Sequence, residues 1–244
     1  MSNLKITIII PCYNSEKWIE ECVMSALSQT YENKEVIVVD NESSDSSLQI
    51  IKNIQQQHPE LIVDTAENIY KHSYQEPVEK ALSLSTGEYF TILGSDDYIA
   101  PEYLEKLARI LSSSNKIEAL QTPIRGVKGE EKVYAGDLAH TYKSLVEFKS
   151  KLFVGCPVTT PSIVLKKSLY DSGIVRWNSK DYLGASDYDL YFNLADNDIF
   201  IYPYPQWIGY FYRWHDQQST WGMHKESTNY DSKIKNFWKE KWKM

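Results

Sequence analysis

Residues 6–10 form an almost unbroken apolar run ending at Pro11, the pattern of a strand buried on both faces. Beyond the Tyr13-Asn14-Ser15 turn, Trp18, Ile19, Cys22, Val23, Ala26 and Leu27 recur at intervals of three and four, so the spacing predicts a helix capped by Ser15. A second strand follows at 35–39 and ends on Asp40. The serine-rich turn 43–46 then caps a helix carrying Leu48, Ile51 and Ile54. A third strand at 61–64, a helix at 78–84 and a fourth strand at 89–93 run into Gly94-Ser95-Asp96-Asp97. Pro101 opens a further helix with Leu104, Leu107, Ile110 and Leu111 on one face. Short β-rich runs alternating with segments of helical period predict an α/β fold built on a parallel sheet.

The alternation weakens after residue 112. Residues 118–137, with Gly126, Gly129 and Gly136, read as strands and loops, and 142–151 has helical spacing. A strand at 162–165, a helix at 188–195 and closing strands at 199–202 and 208–212 complete the expected elements. No internal repeat or low-complexity linker divides the chain. The expected organisation is one domain over 1–219, in two halves (1–111 and 112–219), followed by an amphipathic tail over 220–244.

Composition narrows the possibilities. The 244 residues carry 26 Lys plus Arg against 33 Asp plus Glu, a formal net charge of -7, which argues against a general duplex-DNA binder. Cys12, Cys22 and Cys156 are odd in number and form no CxxC pair, so neither a disulfide framework nor a cysteine-rich zinc site is expected. No window resembles a signal-peptide core or a spanning helix. Together these features predict a cytoplasmic protein, with peripheral attachment to a membrane left open. Aromatic residues reach 13%, and their flat faces with polar tips suit sugars, bases and interfaces.

A parallel α/β sheet binds its ligands beyond the carboxyl ends of the strands, which places residues 11–14, 40–42 and 94–98 at the expected site. Neither GxGxxG nor GxxxxGK is present, so the usual backbone cradles for phosphate are missing. The Asp96-Asp97 pair offers another route, because a hard divalent cation takes oxygen ligands and can join phosphates to protein.

These segments resemble the family 2 glycosyltransferases of the GT-A fold, which implies a Rossmann-like, mostly parallel sheet flanked by helices, with a nucleotide-sugar donor half over 1–111 and an acceptor half over 112–219. Ile8-Ile9-Ile10-Pro11-Cys12-Tyr13-Asn14 is similar to the family's first strand and nucleotide loop, and residues 35–45 to its second strand and turn. Thr86-Gly87-Glu88-Tyr89, leading to Leu93-Gly94-Ser95-Asp96-Asp97-Tyr98, is similar to the approach to its metal-binding carboxylates. The resemblance implies that Asp40 accepts a hydrogen bond from the base of a nucleotide diphosphate sugar, most commonly UDP-linked, and that Pro11, Tyr13 and Asn14 line base and ribose. It also implies that Asp96 meets ribose or metal and Asp97 the metal, with Mn2+ or Mg2+ as cofactor. Where the family often has another Asp this chain has Gly94. Where the family often has an Ala-Arg-Asn element it reads Pro77-Val78-Glu79, leaving Lys71 or Lys80 as substitute phosphate contacts.

Further along, Gly184-Ala185-Ser186-Asp187-Tyr188 resembles the family's acceptor-side element, with Ser186 in place of its usual Glu. Asp187 is thereby implied as the general base of an inverting transfer, and Asp189 is its nearest competitor. The plainer reading of Ser186-Asp187 is an acidic helix N-terminus. Tyr212-Arg213-Trp214-His215 resembles a late Arg-x-His element, implying His215 as a metal or diphosphate contact and Arg213 and Trp214 as diphosphate or acceptor contacts. The implied acceptor is the hydroxyl of a glycan, a lipid-linked sugar or another molecule. From Lys225 on, six Lys face three acidic residues among Phe237, Trp238 and Trp242. That keeps nucleic acid, including a hydroxylated DNA base, as a less favoured acceptor. A solvated amphipathic helix is the expected form of this tail. The rival reading is a non-catalytic sugar-nucleotide binding module of the same fold, and the oligomeric state is left open.

Overall fold

The computed structural model describes residues 4–70, 72–114, 116–128, 133–216, 218 and 227–244, with backbone alone for 133–135. A seven-stranded sheet forms the centre. Its strands are β1 (Ile6–Cys12), β2 (Lys34–Asp40), β3 (Ile62–Thr65), β4 (Tyr89–Ile92), β6 (Ala119–Gln121), β9 (Val164–Lys166) and β10 (Ile201–Pro203). They lie in the order β10-β6-β9-β4-β1-β2-β3. All neighbours are parallel except β9, which runs antiparallel to both β4 and β6. A four-stranded sheet, in the order β5-β11-β7-β8, comprises β5 (Tyr98–Ile99), β7 (Ile124–Lys128), β8 (Val133–Leu138) and β11 (Tyr210–Trp214).

The central strands are buried on both faces, and their alternation divides the core. Ile6, Ile8, Ile10, Val36 and Val38 face helices α1 (Ile19–Leu27), α2 (Ser47–Gln57) and α4 (Tyr103–Ser112). Ile9, Ile37, Val39 and Phe90 face α3 (Gln75–Leu84), α5 (Leu145–Val154) and, farther from the sheet, α8 (Ser186–Asp196). Short helices α6 (Lys167–Asp171) and α7 (Ser179–Tyr182) link β9 to α8. The final helix α9 (Tyr230–Lys241) packs on α8 with Ile234 and Trp238 fully buried. The Trp238 ring stacks on Phe192 with centroids 5.6 Å apart. The expected tail is therefore a helix with one face in the core. Lys233 and Lys235 donate to the carbonyls of Asp181 and Val154, and Lys241 pairs with Asp196. Among the described residues, no helix is long and apolar enough to cross a membrane.

Local details depart from the pattern-based expectation for physical reasons. β1 continues through Pro11 to Cys12. The Ile9 carbonyl accepts from Leu93 N–H, and the Cys12 carbonyl from Asn41 N–H. Strand alternation thus turns the Pro11 nitrogen to the β4 side, past the last residue of β4, where no ladder donor is needed. Ser15 does not cap α1, which starts at Ile19 with no side-chain cap. Its hydroxyl instead meets Ser95 Oγ at 2.6 Å. For α2, the Ser47 N–H is taken by the Asp45 carboxylate at 2.9 Å rather than by a serine.

Candidate active site

The sheet reverses its winding at β1, with β2 on one side and β4 on the other, so the exits of these strands leave a crevice between them. Short polar side chains hold the exits together. Ser47 Oγ accepts the Ser15 N–H at 2.8 Å, while Ser15 Oγ reaches Ser95 at 2.6 Å, joining the loops after β1, β2 and β4. Asn14 adopts φ 49°, a left-handed conformation that Asn tolerates well. Its Oδ1 accepts the Ser44 N–H at 2.8 Å. Pro11, Tyr13 and Asn14 line the resulting cleft, as does Asn41.

Asp40 does not itself line the cleft but precedes Asn41, which does. It is buried, and Oδ2 accepts the Ser43 N–H at 3.0 Å. Oδ1 of Asp40 and Oδ1 of Asn41 are buried without a hydrogen-bond partner among the described residues. Unfilled buried acceptors are costly in a closed core, so two side by side at a strand exit suit a ligand that brings donors. Cys12 lies against Ser43 and Ser47. Burial, with the Asp40 charge beside it, pushes its thiol up to about 12, which removes it as a nucleophile at neutral pH.

The loop after β4 separates the paired carboxylates. Asp97 is buried, with Oδ2 accepting from Tyr210 Oη–H at 2.7 Å and Oδ1 from Arg213 N–H at 2.8 Å. Burial and then the neighbouring Asp96 charge push its carboxyl well above the usual range. Both oxygens are thus engaged with β11, which leaves Asp97 poorly disposed to be the direct metal ligand the sequence suggested. Asp96, by contrast, lines the cleft with its Oδ2 2.9 Å from His215 Nε2. Gly94 lies between the two, and a Cβ there would stand 2.8 Å from Asp97 Oδ2 and 3.0 Å from Asp96 Oδ1. The extra Asp of the family pattern would therefore have to displace the Asp97 carboxylate from Tyr210 and Arg213.

A carboxylate and an imidazole facing one cleft suit Mn2+, with remaining ligands drawn from phosphate and water. No cluster of three or more potential ligands occurs among the described residues, so the protein side of such a site would be Asp96 and His215.

Arg213, expected near the diphosphate, is buried away from the cleft. Its Nε donates to the Asp96 carbonyl at 2.7 Å, NH2 pairs with Glu21 at 2.7 Å, and the guanidinium lies over the Trp18 ring. It acts as a strut beneath Asp96. Trp214 does not line the cleft and is 44% exposed. Lys80 pairs with Asp64 at 3.1 Å outside the cleft, and Lys71 lies outside the described residues, as do Trp221 and Lys225. Trp177 is buried in the core against Tyr74, and Trp207 stacks on Tyr103, so neither offers an open face to a sugar.

On the acceptor side, Thr160 and Pro161 line the cleft, and Thr160 Oγ1 donates to Asp187 Oδ2 at 2.9 Å. Asp187 opens α8, and its Oδ1 accepts the Tyr188 N–H at 2.7 Å. Burial pushes its carboxyl up to about 6, against the opposing pull of Thr160 and the Tyr188 amide. Asp189 faces the other way, with Oδ1 accepting from Trp238 Nε1 at 2.7 Å and Oδ2 3.4 Å from Arg176. It anchors α9 and is no competitor for chemistry in the cleft. Thr160 and Trp18 are not read as site residues from the sequence, and Asn41 falls within the expected 40–42 exit without a role of its own. Only Asn41, beside Asp40 at a strand exit, carried a detectable signal.

The sequence profile of glycosyl transferase family 2 matches residues 7–173. An uncharacterized glycosyltransferase of Haemophilus influenzae is 25% identical over 96% of this chain and 73% of its own length. A poly(ribitol-phosphate) beta-glucosyltransferase of Bacillus spizizenii is 34% identical over 52% of this chain, which corresponds to 20% of that enzyme. Among solved structures, S. aureus TarS 1-349 in complex with UDP-GlcNAc superposes with a TM-score of 0.74 at 21% identity, over 92% of this chain and 62% of TarS 1-349. A Pyrobaculum calidifontis mannosyltransferase in complex with GDP-Man and Mn2+ gives a TM-score of 0.61 at 16% identity, over 95% of this chain and 68% of its own. By its sheet order, the crevice at its switch point and this family match, the chain belongs to glycosyl transferase family 2 and has the GT-A fold.

Proposed function

We propose that this chain transfers a glycosyl unit from a nucleotide diphosphate sugar to an acceptor hydroxyl by a single displacement that inverts the anomeric centre. The observation that carries the reading is one cleft with the Asp96–His215 pair on the β4 side and Thr160, backed by Asp187, on the α8 side. Asn41, on the cleft wall, would receive a donor from the base or ribose through its unfilled Oδ1, and Asp40 directly behind it offers a second unfilled acceptor to a base seated deeply there. Tyr13, 52% exposed at the cleft wall, offers its ring to the base. UDP is the favoured carrier, supported by the UDP-GlcNAc complex of TarS.

Asp96 and His215 would hold a divalent cation, supported by the Mn2+ complex of the mannosyltransferase. Bound there, the ion would offset charge on the diphosphate. Arg213 keeps Asp96 in place from beneath. Asp187 would take the proton of the acceptor hydroxyl, since a carboxyl titrating at about 6 is mostly ionised at neutral pH and still basic enough to receive it. A glycan or polysaccharide acceptor is favoured by the poly(ribitol-phosphate) transferase among the relatives. The test is release of UDP from UDP-sugars with Mn2+, with and without glycan acceptors. Asp187→Asn should abolish release while leaving UDP affinity unchanged, and a pure binding module would release no UDP in any combination.

A further inference from the structure

Thr160 sits on a one-turn 3-10 helix, Thr160–Ser162, with its side chain between the cleft and α8. A hydroxyl has one proton and two lone pairs, and here their use is fixed. The proton goes to Asp187 Oδ2 at 2.9 Å, and a lone pair receives the Tyr191 Oη–H at 2.9 Å. Tyr191 is buried one helical turn beyond Asp187 on α8, so a phenol, a hydroxyl and a carboxylate form a chain whose middle member, Thr160, borders the cleft, with Asp187 directly behind it. The turn itself is held firmly. Thr159 Oγ1 donates to the Thr122 carbonyl at 2.7 Å, and Ser162 Oγ also donates to that carbonyl, at 2.5 Å.

We infer that Thr160 is a positioning residue: backed by Tyr191, its hydroxyl fixes the Asp187 carboxylate directly behind the cleft wall, next to where the acceptor would enter. This rests on the reading of Asp187 as the base. The groups that act on Asp187 from the elements packed around it are Tyr74 before α3, Cys156 after α5, Tyr191 on α8 and Asp231 on α9. Burial pushes Tyr74 and Tyr191 up, so both phenols are neutral at pH 7, and the Asp187 charge pushes the exposed Cys156 thiol the same way. Asp231 bears the same sign as Asp187 and opposes its ionisation. The donors that favour the anion are the Thr160 hydroxyl and the Tyr188 amide, aided by the N-terminal end of α8. Of these, only the Thr160 hydroxyl can be removed by changing one side chain outside α8.

The test is a pH titration of the Asp187 carboxyl by carbon-13 NMR in the wild type, Thr160→Val, Thr160→Ser and Tyr191→Phe, which requires no substrate. Removing a donor to the charged form should raise the titration midpoint of Thr160→Val by about one unit. Thr160→Ser should restore the wild-type value, and Tyr191→Phe should shift it in the same direction by less. In parallel, UDP release from UDP-GlcNAc with Mn2+ should fall about tenfold in Thr160→Val, with donor KM unchanged and the acid limb moved upward. A wild-type midpoint in Thr160→Val, or a Thr160→Ser variant as shifted as Thr160→Val, would overturn the positioning role. If Thr160→Val does not fold, an unshifted midpoint in Tyr191→Phe overturns the role instead. Undiminished UDP release by Asp187→Asn would overturn the reading of Asp187 as base, a different result from failure of the Thr160 contact.

Discussion

His215 Nε2 lies 2.9 Å from Asp96 Oδ2, so two residues 119 positions apart meet at the wall of one cleft. The contact depends on β11, whose Arg213 donates from its backbone to the Asp97 carboxylate and from its side chain to the Asp96 carbonyl. The two adjacent carboxylates consequently have different tasks. Asp97 holds β11 to the loop after β4, and Asp96 faces the cleft.

That division predicts different outcomes for substitution. Asp97→Asn leaves one of two buried oxygens replaced by an amide facing a donor, and it should cost about 1–3 kcal/mol of stability in urea unfolding. Asp96→Ala should change stability by less than about 1 kcal/mol, because its side chain borders the cleft. Equal destabilisation by both would refute the division.

Gly94→Asp restores the residue the family pattern would supply, but its Cβ would stand 2.8 Å from Asp97 Oδ2. The expected result is a loss of about 1–3 kcal/mol rather than tighter metal binding. Thermal unfolding with and without Mn2+ measures both.

Glu35 gathers donors from Lys5, Thr7, Thr86 and the Gly87 amide beneath β1. Burial alone would raise its carboxyl, but these donors prevail and hold it at about 2. A depressed folded pKa gives stability that is present above the ordinary carboxylate value and lost as pH falls toward 2. Unfolding free energy should therefore drop between about pH 4.5 and 2, and Glu35→Gln should be less stable than wild type at pH 7 with a shallower acid slope.

Trp238 links the last helix to the interior through the Asp189 carboxylate. Trp238→Phe removes that donor from a buried anion and should cost about 1–3 kcal/mol, while UDP release stays near wild type. Protease susceptibility within residues 227–244 would report loosening of α9.

Much of the donor side was legible because it is local. The buried runs of β1 and β2, the polar exits that follow them and the Asp96-Asp97 pair are all contiguous stretches whose pattern carries their role. What the pattern did not show depends on distant partners. Asp96 and Asp97 look alike until Tyr210 and Arg213 arrive from β11, and Arg213 reads as a diphosphate contact until Glu21 and Trp18 claim it. Asp187 and Asp189 share a helix, yet Thr160 marks one and Trp238 the other, from segments far away in sequence. The second sheet was obscure for a similar reason: β5 is two residues long and gains its strand character from pairing with β11.

The central claim is that the cleft holds a nucleotide diphosphate sugar by way of a cation at Asp96 and His215. Calorimetric titration of UDP and GDP into wild type, Asp96→Ala and Asp187→Asn, with and without Mn2+, tests it most directly. One nucleotide should bind wild type and Asp187→Asn alike in Mn2+, and its affinity should fall at least about tenfold without the ion or in Asp96→Ala. Failure of both nucleotides to bind, or undiminished binding by Asp96→Ala, would contradict the account.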